Sequence, residues 1–534
     1  MTISTLANKP ESTVATPAPK TRPKARRLRI ALIGEGTYPV VTGGVSTWYD
    51  QLIKGLEEYE FEIVTIVGED REPRWDLPAN VAGLTLLPMW DQPPHSSIRG
   101  RHAEEQRVRK ALDGLWSAVL CPTQSNEQDI LAVRSALQDL SHTASGQPLG
   151  ATLQRISSAP SVADAWEKAR SVNPELPILS LSQSARVAHF ADRILAMLDA
   201  DCPPADLIHL TTNGPSALIG LARHWRDGTP LVLTEHGVYL RERYLAADTM
   251  DPDYSVRYAL LTLMRLICQV TYREVQELAP VSHFNARWAE RLGAPESRTR
   301  PIHNGVDSEA YSVITTVPEV PTVSFVGRID PLKDLATLIN AFTMVTQEIP
   351  EAKLRIFGPI PAENDDYFQE LQDLVRECKL EECVTFEGRV PSARIAAEAG
   401  HVVALSSISE GLPFTVIESM MCGRATVSTD VGGVSEVTGR DRVAGILVPP
   451  RAPEHLAKEL VFLLVDHAAR AAMGEAARAR AASMFELSSF YNNVRSLYTR
   501  CCASLAPTGA SGAPSGAQHA PSGAQLAPAG AQLA

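Results

Sequence analysis

The chain has 534 residues, of which 44% are hydrophobic and 21% charged, a balance that supports packed cores and excludes a wholly disordered protein. Asp and Glu outnumber Lys and Arg by 62 to 50, a formal net charge of -12, which argues against a nucleic-acid binder because such proteins carry a basic excess. No apolar run approaches the ~18 residues that span a bilayer, and residues 1–27 lack the apolar core of a secretory signal.

Length alone predicts roughly three to four domains at ~150 residues each. Residues 1–27 are rich in Thr, Ala and Pro and carry six basic residues against one Glu. They read as a disordered basic arm, with a weak membrane-surface or targeting role as the alternative. A β-rich run at 28–33 predicts a strand, then a Gly-rich loop, then a helix carrying Trp48, Leu52, Ile53 and Leu56. Further strands are expected at 61–67, 206–210, 231–234 and 278–282. From about 74 to 186 the strand signal is weak. Val108, Leu112, Leu115, Trp116 and Leu120 recur there at helical spacing, so a mostly helical insertion is expected.

A second series opens at 323–326. It continues with a helix carrying Leu335, Leu338, Ile339, Phe342 and Val345, then strands at 354–357, 384–386 and 402–405. Strands alternating with helices indicate parallel sheets covered on both faces. Two such series predict two doubly wound α/β domains, joined where periodicity lapses between 307 and 321. Phe485, Leu487, Phe490, Tyr491, Val494 and Leu497 predict a last amphipathic helix. Residues 506–534 contain no charged residue and hold three seven-residue units, APSGAQH, APSGAQL and APAGAQL. A Pro and a Gly in every unit forbid a coiled coil, so this is read as a flexible tail. The eight cysteines form no CxxC and no zinc spacing with His, and read as reduced thiols of a cytoplasmic protein.

In doubly wound folds ligands bind beyond the C-terminal strand ends, so the loops there are the candidates. The loop from Gly34 to Val45 lacks the third glycine of a dinucleotide fingerprint, Pro39 standing in its place, and no Gly-Lys-Ser/Thr follows. Gly43 and Gly44 open a helix, where backbone N–H groups can approach an anion or a hydroxyl-rich ligand; a plain turn explains them equally well. In the loop from Val326 to Lys333, Arg328 and Lys333 flank a helix start at Pro331. Two cations beside a positive helix end favour an anionic ligand such as a diphosphate, with Asp330 and Asp334 as partial neutralisers. In the loop from Ser406 to Glu418, Pro413 starts a helix, Glu410 precedes it and Glu418 lies within it. Eight residues of helix span ~12 Å, so the two carboxylates read as separate ligand contacts and not as a glycosidase pair. Thr234-Glu235-His236-Gly237 puts a His at a strand end, where it can contact a substrate oxygen or be structural.

Taken together and in this order, these loops resemble a retaining GT-B glycosyltransferase of family 4, of the PelF-type sub-group of exopolysaccharide synthesis. The residues are Glu35-Gly-Thr-Tyr-Pro39 with Gly43-Gly44-Val45-Ser46 and Trp48; Thr234 to Gly237 with Tyr239 and Arg241-Glu242-Arg243; Asn304 to Asp307; Val326-Gly-Arg328 with Pro331 to Asp334; and Glu410-Gly-Leu-Pro413 through Glu418. The resemblance covers roughly residues 28–500. His303 stands where a Pro usually precedes the Asn, and the run from Gly432 to Glu436 is closer to family 4 in general than to PelF.

The resemblance implies two Rossmann-like domains facing across a cleft. An acceptor-side domain would run over 28–312, with the insertion at about 74–186, and a nucleotide-sugar domain over 313–484. A helix over 485–505 would cross back to the first domain, and the repeat tail would fill 506–534. Arg328 and Lys333 would hold the donor diphosphate, and Glu418 the nucleotide ribose. Glu410 would lie at the donor sugar, flanked by Gly411 and Leu412, with His236 contacting that sugar from the other domain. Gly43 and Gly44 would let the first domain's loop approach diphosphate and acceptor. No metal and no cofactor are implied, the nucleotide sugar (UDP-linked) being a substrate. The function implied is transfer of a hexosyl unit, with retention, to a polysaccharide or glycolipid acceptor. The implied location is the cytoplasm, with docking to a polysaccharide-synthesis complex at the inner membrane face as a further option. The competing readings are a non-catalytic scaffold of such a complex, a GT-B sugar-nucleotide epimerase, and a transferase like sucrose or glycogen synthase.

Overall fold

The computed structural model describes residues 26–68, 72–91, 102–123, 125–143, 148–361 and 364–503. The arm up to residue 25 and the chain from 504 onward, repeats included, lie outside the described residues. The first sheet contains β1 (Arg29–Glu35), β2 (Glu60–Val67), β3 (Val81–Pro88), β4 (Leu207–Leu210), β5 (Leu231–Leu233) and β6 (Glu277–Leu278). Its order is β3-β2-β1-β4-β5-β6, every pairing parallel. The second contains β7 (Thr322–Val326), β8 (Lys353–Phe357), β9 (Val384–Gly388), β10 (Val402–Leu405), β11 (Ala425–Thr429) and β12 (Ile446–Val448). Its order is β12-β11-β10-β7-β8-β9, again all parallel. The two doubly wound α/β units expected from the alternating pattern are therefore present. In each, the winding reverses between the first and fourth strands, which leaves a crevice at their C-terminal ends.

The apolar runs follow from two-sided burial. Along β1, Ile30 and Leu32 enter one core while Ala31 and Ile33 enter the other, as a period of two demands. The second of these cores is shared with five consecutive helices, His102–Leu120, Asn126–Thr143, Leu149–Ile156, Ala159–Val172 and Leu181–Ala196. Trp116 and Trp166 are fully buried within it. The helical segment is thus packed onto the back of the first sheet.

Several expectations require correction. β3 falls inside the segment expected to be helical; its side chains are only half-buried and Gly83 interrupts it, so its apolar signal is weak. β11 and β12 are not anticipated, because β11 buries Thr426 and Ser428 and β12 has three residues. β6 ends at Leu278, well short of 282, because Pro280 has no N–H for the ladder.

The last helix, Leu487–Ala503, packs on the first sheet after the chain has completed the second. Tyr498 hydrogen-bonds through its hydroxyl to His209 Nδ1 at 2.8 Å, and the other ring nitrogen of His209 meets Thr234 Oγ1 at 2.9 Å. Burial lowers the His209 pKa to about 3, with His236 adding to the effect, so the ring is neutral and both nitrogens are satisfied. Arg500 and Arg495 pair with Glu277 and Glu58 of the first domain at 3.0 and 2.6 Å. Tyr498→Phe keeps the packing but leaves a His209 nitrogen without a partner, so it is expected to cost about 1–3 kcal/mol. Urea unfolding measures this; an unchanged midpoint would remove this bond from what seats the helix.

Candidate active site

The loops that leave β1, β5, β7 and β10 all emerge at strand C-terminal ends, and the contacts between them define the site. After β10, Glu410 accepts from Lys333 Nζ at 2.6 Å and from Ser407 Oγ at 2.6 Å. Lys333 and Glu410 are both mostly buried, with side chains 22% and 10% exposed. Arg328 is more open and lies 3.4 Å from Asp330. Pro331–Lys333 is a single 3-10 turn, and the α-helix starts only at Leu335. That corrects the helix start expected at Pro331. Asp334 caps this helix, accepting from Thr337 N and Oγ1 at 3.3 and 2.7 Å, and so the carboxylate that compensates Lys333 is Glu410.

Glycine permits the next contact. A Cβ on Gly411 would lie 1.7 Å from the carbonyl oxygen of His236. The loop after β10 therefore touches the loop after β5, backbone against backbone, across the two domains. Gly432 and Gly433 stack beneath it: a Cβ on Gly432, whose φ is +58°, would lie 1.7 Å from Glu410 O, and one on Gly433 would lie 2.5 Å from Gly411 O. Asn304 Nδ2 donates to Leu412 O at 2.9 Å, and Leu412 itself is buried. Asn285 Nδ2 donates to the carbonyls of Glu235 and His236 at 3.1 and 3.3 Å. Arg241 spans the seam to Ser409 Oγ.

His236 is half-buried, its ring edge-on to Trp48 with centroids 4.8 Å apart. Burial lowers its pKa to about 3, so it is neutral, and its Nε2 has no hydrogen-bond partner. A neutral imidazole with a free nitrogen suits contact with a hydroxyl. Gly44 opens the helix Gly44–Gly55, and a Cβ there would meet Phe414 of the other domain at 3.3 Å. Gly43 faces open space. The structure thus brings His236, Glu410, Gly411, Leu412 and Lys333 into one contact set; Gly44 approaches it through Phe414, Arg328 is linked to it only through the field at Glu242, and Gly43 makes no contact with it.

Glu418 stands apart. It lies in the helix Phe414–Met421 and accepts from Tyr311 OH at 2.8 Å. Burial raises its pKa to about 7, against the lowering effect of the Tyr311 bond. Glu410 and Glu418 share no partner, as their spacing predicts.

Other polar groups at this seam are not singled out by sequence. Glu35 leaves β1 with Oε2 unpartnered, and its pKa is raised by burial against the pull of Arg243. Arg243 lies over the Tyr239 ring at 5.2 Å. Glu242, raised by burial, feels Arg243, Arg241, Glu410 and Arg328. Glu235, behind His236, accepts from Tyr272 OH at 2.8 Å, and burial raises its pKa to about 8. These residues stand inside the quoted motifs, but only folding reveals their surroundings. For Tyr311 there is no sequence signal.

Residues 28–297 match the model of a family described as a domain of unknown function, DUF3492. Residues 309–480 match the model described as glycosyl transferases group 1. A D-inositol 3-phosphate glycosyltransferase of Kineococcus radiotolerans is 34% identical over 355 residues, covering 58% of this chain and 80% of that protein. The Nocardiopsis dassonvillei protein of the same name is 26% identical over 332 residues, covering 58% and 75%. The Kribbella flavida protein of that name is covered over 64% of its length. Among solved structures, sucrose-phosphate synthase from Thermosynechococcus elongatus aligns with a TM-score of 0.59 at 17% identity, over 90% of this chain and all of that one. HepE from Anabaena, in complex with UDP and glucose, aligns at 0.58 and 16%, over 89% of this chain and all of that one. At these identities the structural likeness shows the fold: two parallel six-stranded sheets in the GT-B arrangement.

The Glu418 pKa has a consequence for stability. The unfolded carboxyl titrates near 4.5 and the folded one near 7. Its contribution is full below about 4.5 and is lost as pH rises through 7. Glu418→Gln is therefore expected to flatten the fall of stability between pH 4.5 and 7 by up to about 1.4 kcal/mol per pH unit. Urea midpoints across that range measure it; parallel wild-type and variant profiles would refute it.

Proposed function

This chain belongs to the group 1 glycosyltransferases, and we propose that within that family it moves a hexosyl unit from a UDP-linked sugar to a hydroxyl of a polysaccharide or glycolipid, with retention of configuration. The observation that carries the reading is the Lys333–Glu410 pair lying where Gly411 meets His236. It supports the reading because a cation, a carboxylate and a neutral imidazole stand together at the C-terminal ends of β7, β10 and β5.

The roles follow from charge. The leaving group is a nucleoside diphosphate, so negative charge grows on its phosphate oxygens as the anomeric carbon–oxygen bond breaks. Arg328 and Lys333 supply fixed positive charge for it. Lys333, paired with Glu410, would turn to the diphosphate and leave Glu410 to the donor sugar. His236 would contact that sugar from the opposite domain through its unpartnered Nε2. Glu418 would bind the ribose, and the open backbone at Gly43 would face diphosphate and acceptor. The acceptor hydroxyl would attack on the face the diphosphate leaves, its proton passing to a leaving phosphate oxygen. Glu35, whose carboxyl is held toward the neutral form and keeps an unpartnered oxygen, offers the acceptor a hydroxyl-binding group. The solved GT-B neighbour HepE is described in complex with UDP and glucose, which supports a UDP-linked donor. The curated relatives are named D-inositol 3-phosphate glycosyltransferases. Among the described residues no helix is long and apolar enough to cross a membrane.

Arg328→Ala and Glu410→Ala are each expected to lower the turnover of sugar transfer by at least ~100-fold while leaving the circular dichroism spectrum unchanged; wild-type-like turnover in either variant would remove that residue from the site. In a thermal-shift screen of UDP, GDP and ADP sugars, a UDP sugar is expected to raise the melting temperature most, because ligand stabilisation follows occupancy. No shift with any of them would overturn the transferase reading in favour of a scaffold.

A further inference from the structure

We propose that His283, His303 and Glu436 form a binding site for a divalent first-row transition-metal ion, with zinc the best fit, across the seam between the two domains. One ligand atom from each of the three lies within 4.8 Å of the others. His303 Nε2 is 3.4 Å from Glu436 Oε2. Two ligands each ~2.0–2.1 Å from a tetrahedral zinc are separated by about 3.4 Å, so this pair already stands at the spacing the ion requires.

The donors are also prepared for the role. His303 Nε2 is buried, and its neighbour is the Glu436 carboxylate 3.4 Å away, without an aligned hydrogen bond of its own. Its ring is held against Phe485, with centroids 5.4 Å apart. The Glu436 carboxylate is fixed by two backbone donors at the start of the helix His283–Arg291. His283 N reaches Oε2 at 2.8 Å and Phe284 N reaches Oε1 at 2.7 Å. Such outer bonds orient a ligand without using all its lone pairs. The His283 ring lies 5.9 Å from the His303 ring, and the side chain is exposed with a ligand nitrogen already within 4.8 Å of the other two ligand atoms. Two imidazoles and one carboxylate select zinc and its neighbours over magnesium and calcium, which take oxygen ligands. Three protein ligands leave a fourth position for water.

The position gives the site a consequence. Glu436 belongs to the short helix Val434–Thr438, which follows Gly432 and Gly433, the residues stacked beneath Glu410 and Gly411. His283 opens the helix whose Asn285 holds the His236 carbonyl. A bound ion would tie the supports of both contact loops together and stabilise the closed arrangement of the seam.

The test uses the full chain, stripped with EDTA and titrated with zinc chloride by calorimetry, beside His283→Ala and His303→Asn and with magnesium chloride as a control. One zinc per chain is expected at this site, with at least a tenfold loss of affinity in each variant and no magnesium binding. His283 is exposed, so its variant keeps the fold and decides the question alone. Cobalt added in place of zinc is expected to give the visible bands of a low-coordinate site in the wild type and to lose them in His283→Ala. Absence of zinc binding to the wild type, or equal zinc affinity and cobalt spectra in His283→Ala, overturns the proposal; the latter places the ion among the other histidines and the cysteines. Neither outcome bears on the sugar-transfer reading, which the Arg328 and Glu410 variants test.

Discussion

The close approach of Gly411 to the His236 carbonyl is the contact on which the rest of the site depends. It leaves no room for a side chain, and it joins loops that leave different sheets in different halves of the chain. Everything nearby serves to hold it. Gly432 and Gly433 support the Glu410 loop from below, Asn285 fixes the His236 carbonyl, and Asn304 fixes Leu412. Because backbone meets backbone, the spacing of the two loops is limited by van der Waals contact between main-chain atoms and not by flexible side chains.

Charge is organised around that contact. The chain as a whole is acidic, yet Arg328 and Lys333 place positive charge at the ends of β7, with Glu410 as a local counter-charge. The Lys333–Glu410 pair is mostly buried, so each charge is compensated by the other. On the other side of the seam burial does the opposite work. It keeps His209 and His236 neutral and pushes Glu35, Glu235 and Glu242 toward their protonated forms. One half of the site thus carries fixed positive charge and the other is kept close to neutral. The last helix adds a second tie, since Tyr498 reaches the buried His209 behind the same strand ends.

The sequence was most legible where burial is two-sided or where a turn residue is needed. β1 and β10 read as strands because both faces enter a core. The loops at Gly43, Arg328 and Glu410 were visible because glycines and prolines mark where a strand hands over to a helix. β3 and β11 were not legible, the one half-exposed and the other rich in buried hydroxyl groups. Asp334 looked like a neutraliser of Lys333 and is instead a helix cap; spacing alone does not decide between the two.

The sequence by itself determined the alternation of strands and helices, hence two doubly wound sheets, and it placed the chemically capable residues at strand ends. Those features are local: periodicity, turn chemistry and charge are written within a few residues of where they act. Only the tertiary structure decided which of those residues meet. Lys333 and Glu410, Glu418 and Tyr311, and the trio His283, His303 and Glu436 are each brought together from distant positions. The reason is physical: partners across a seam are selected by how two sheets pack, and no local pattern records that choice.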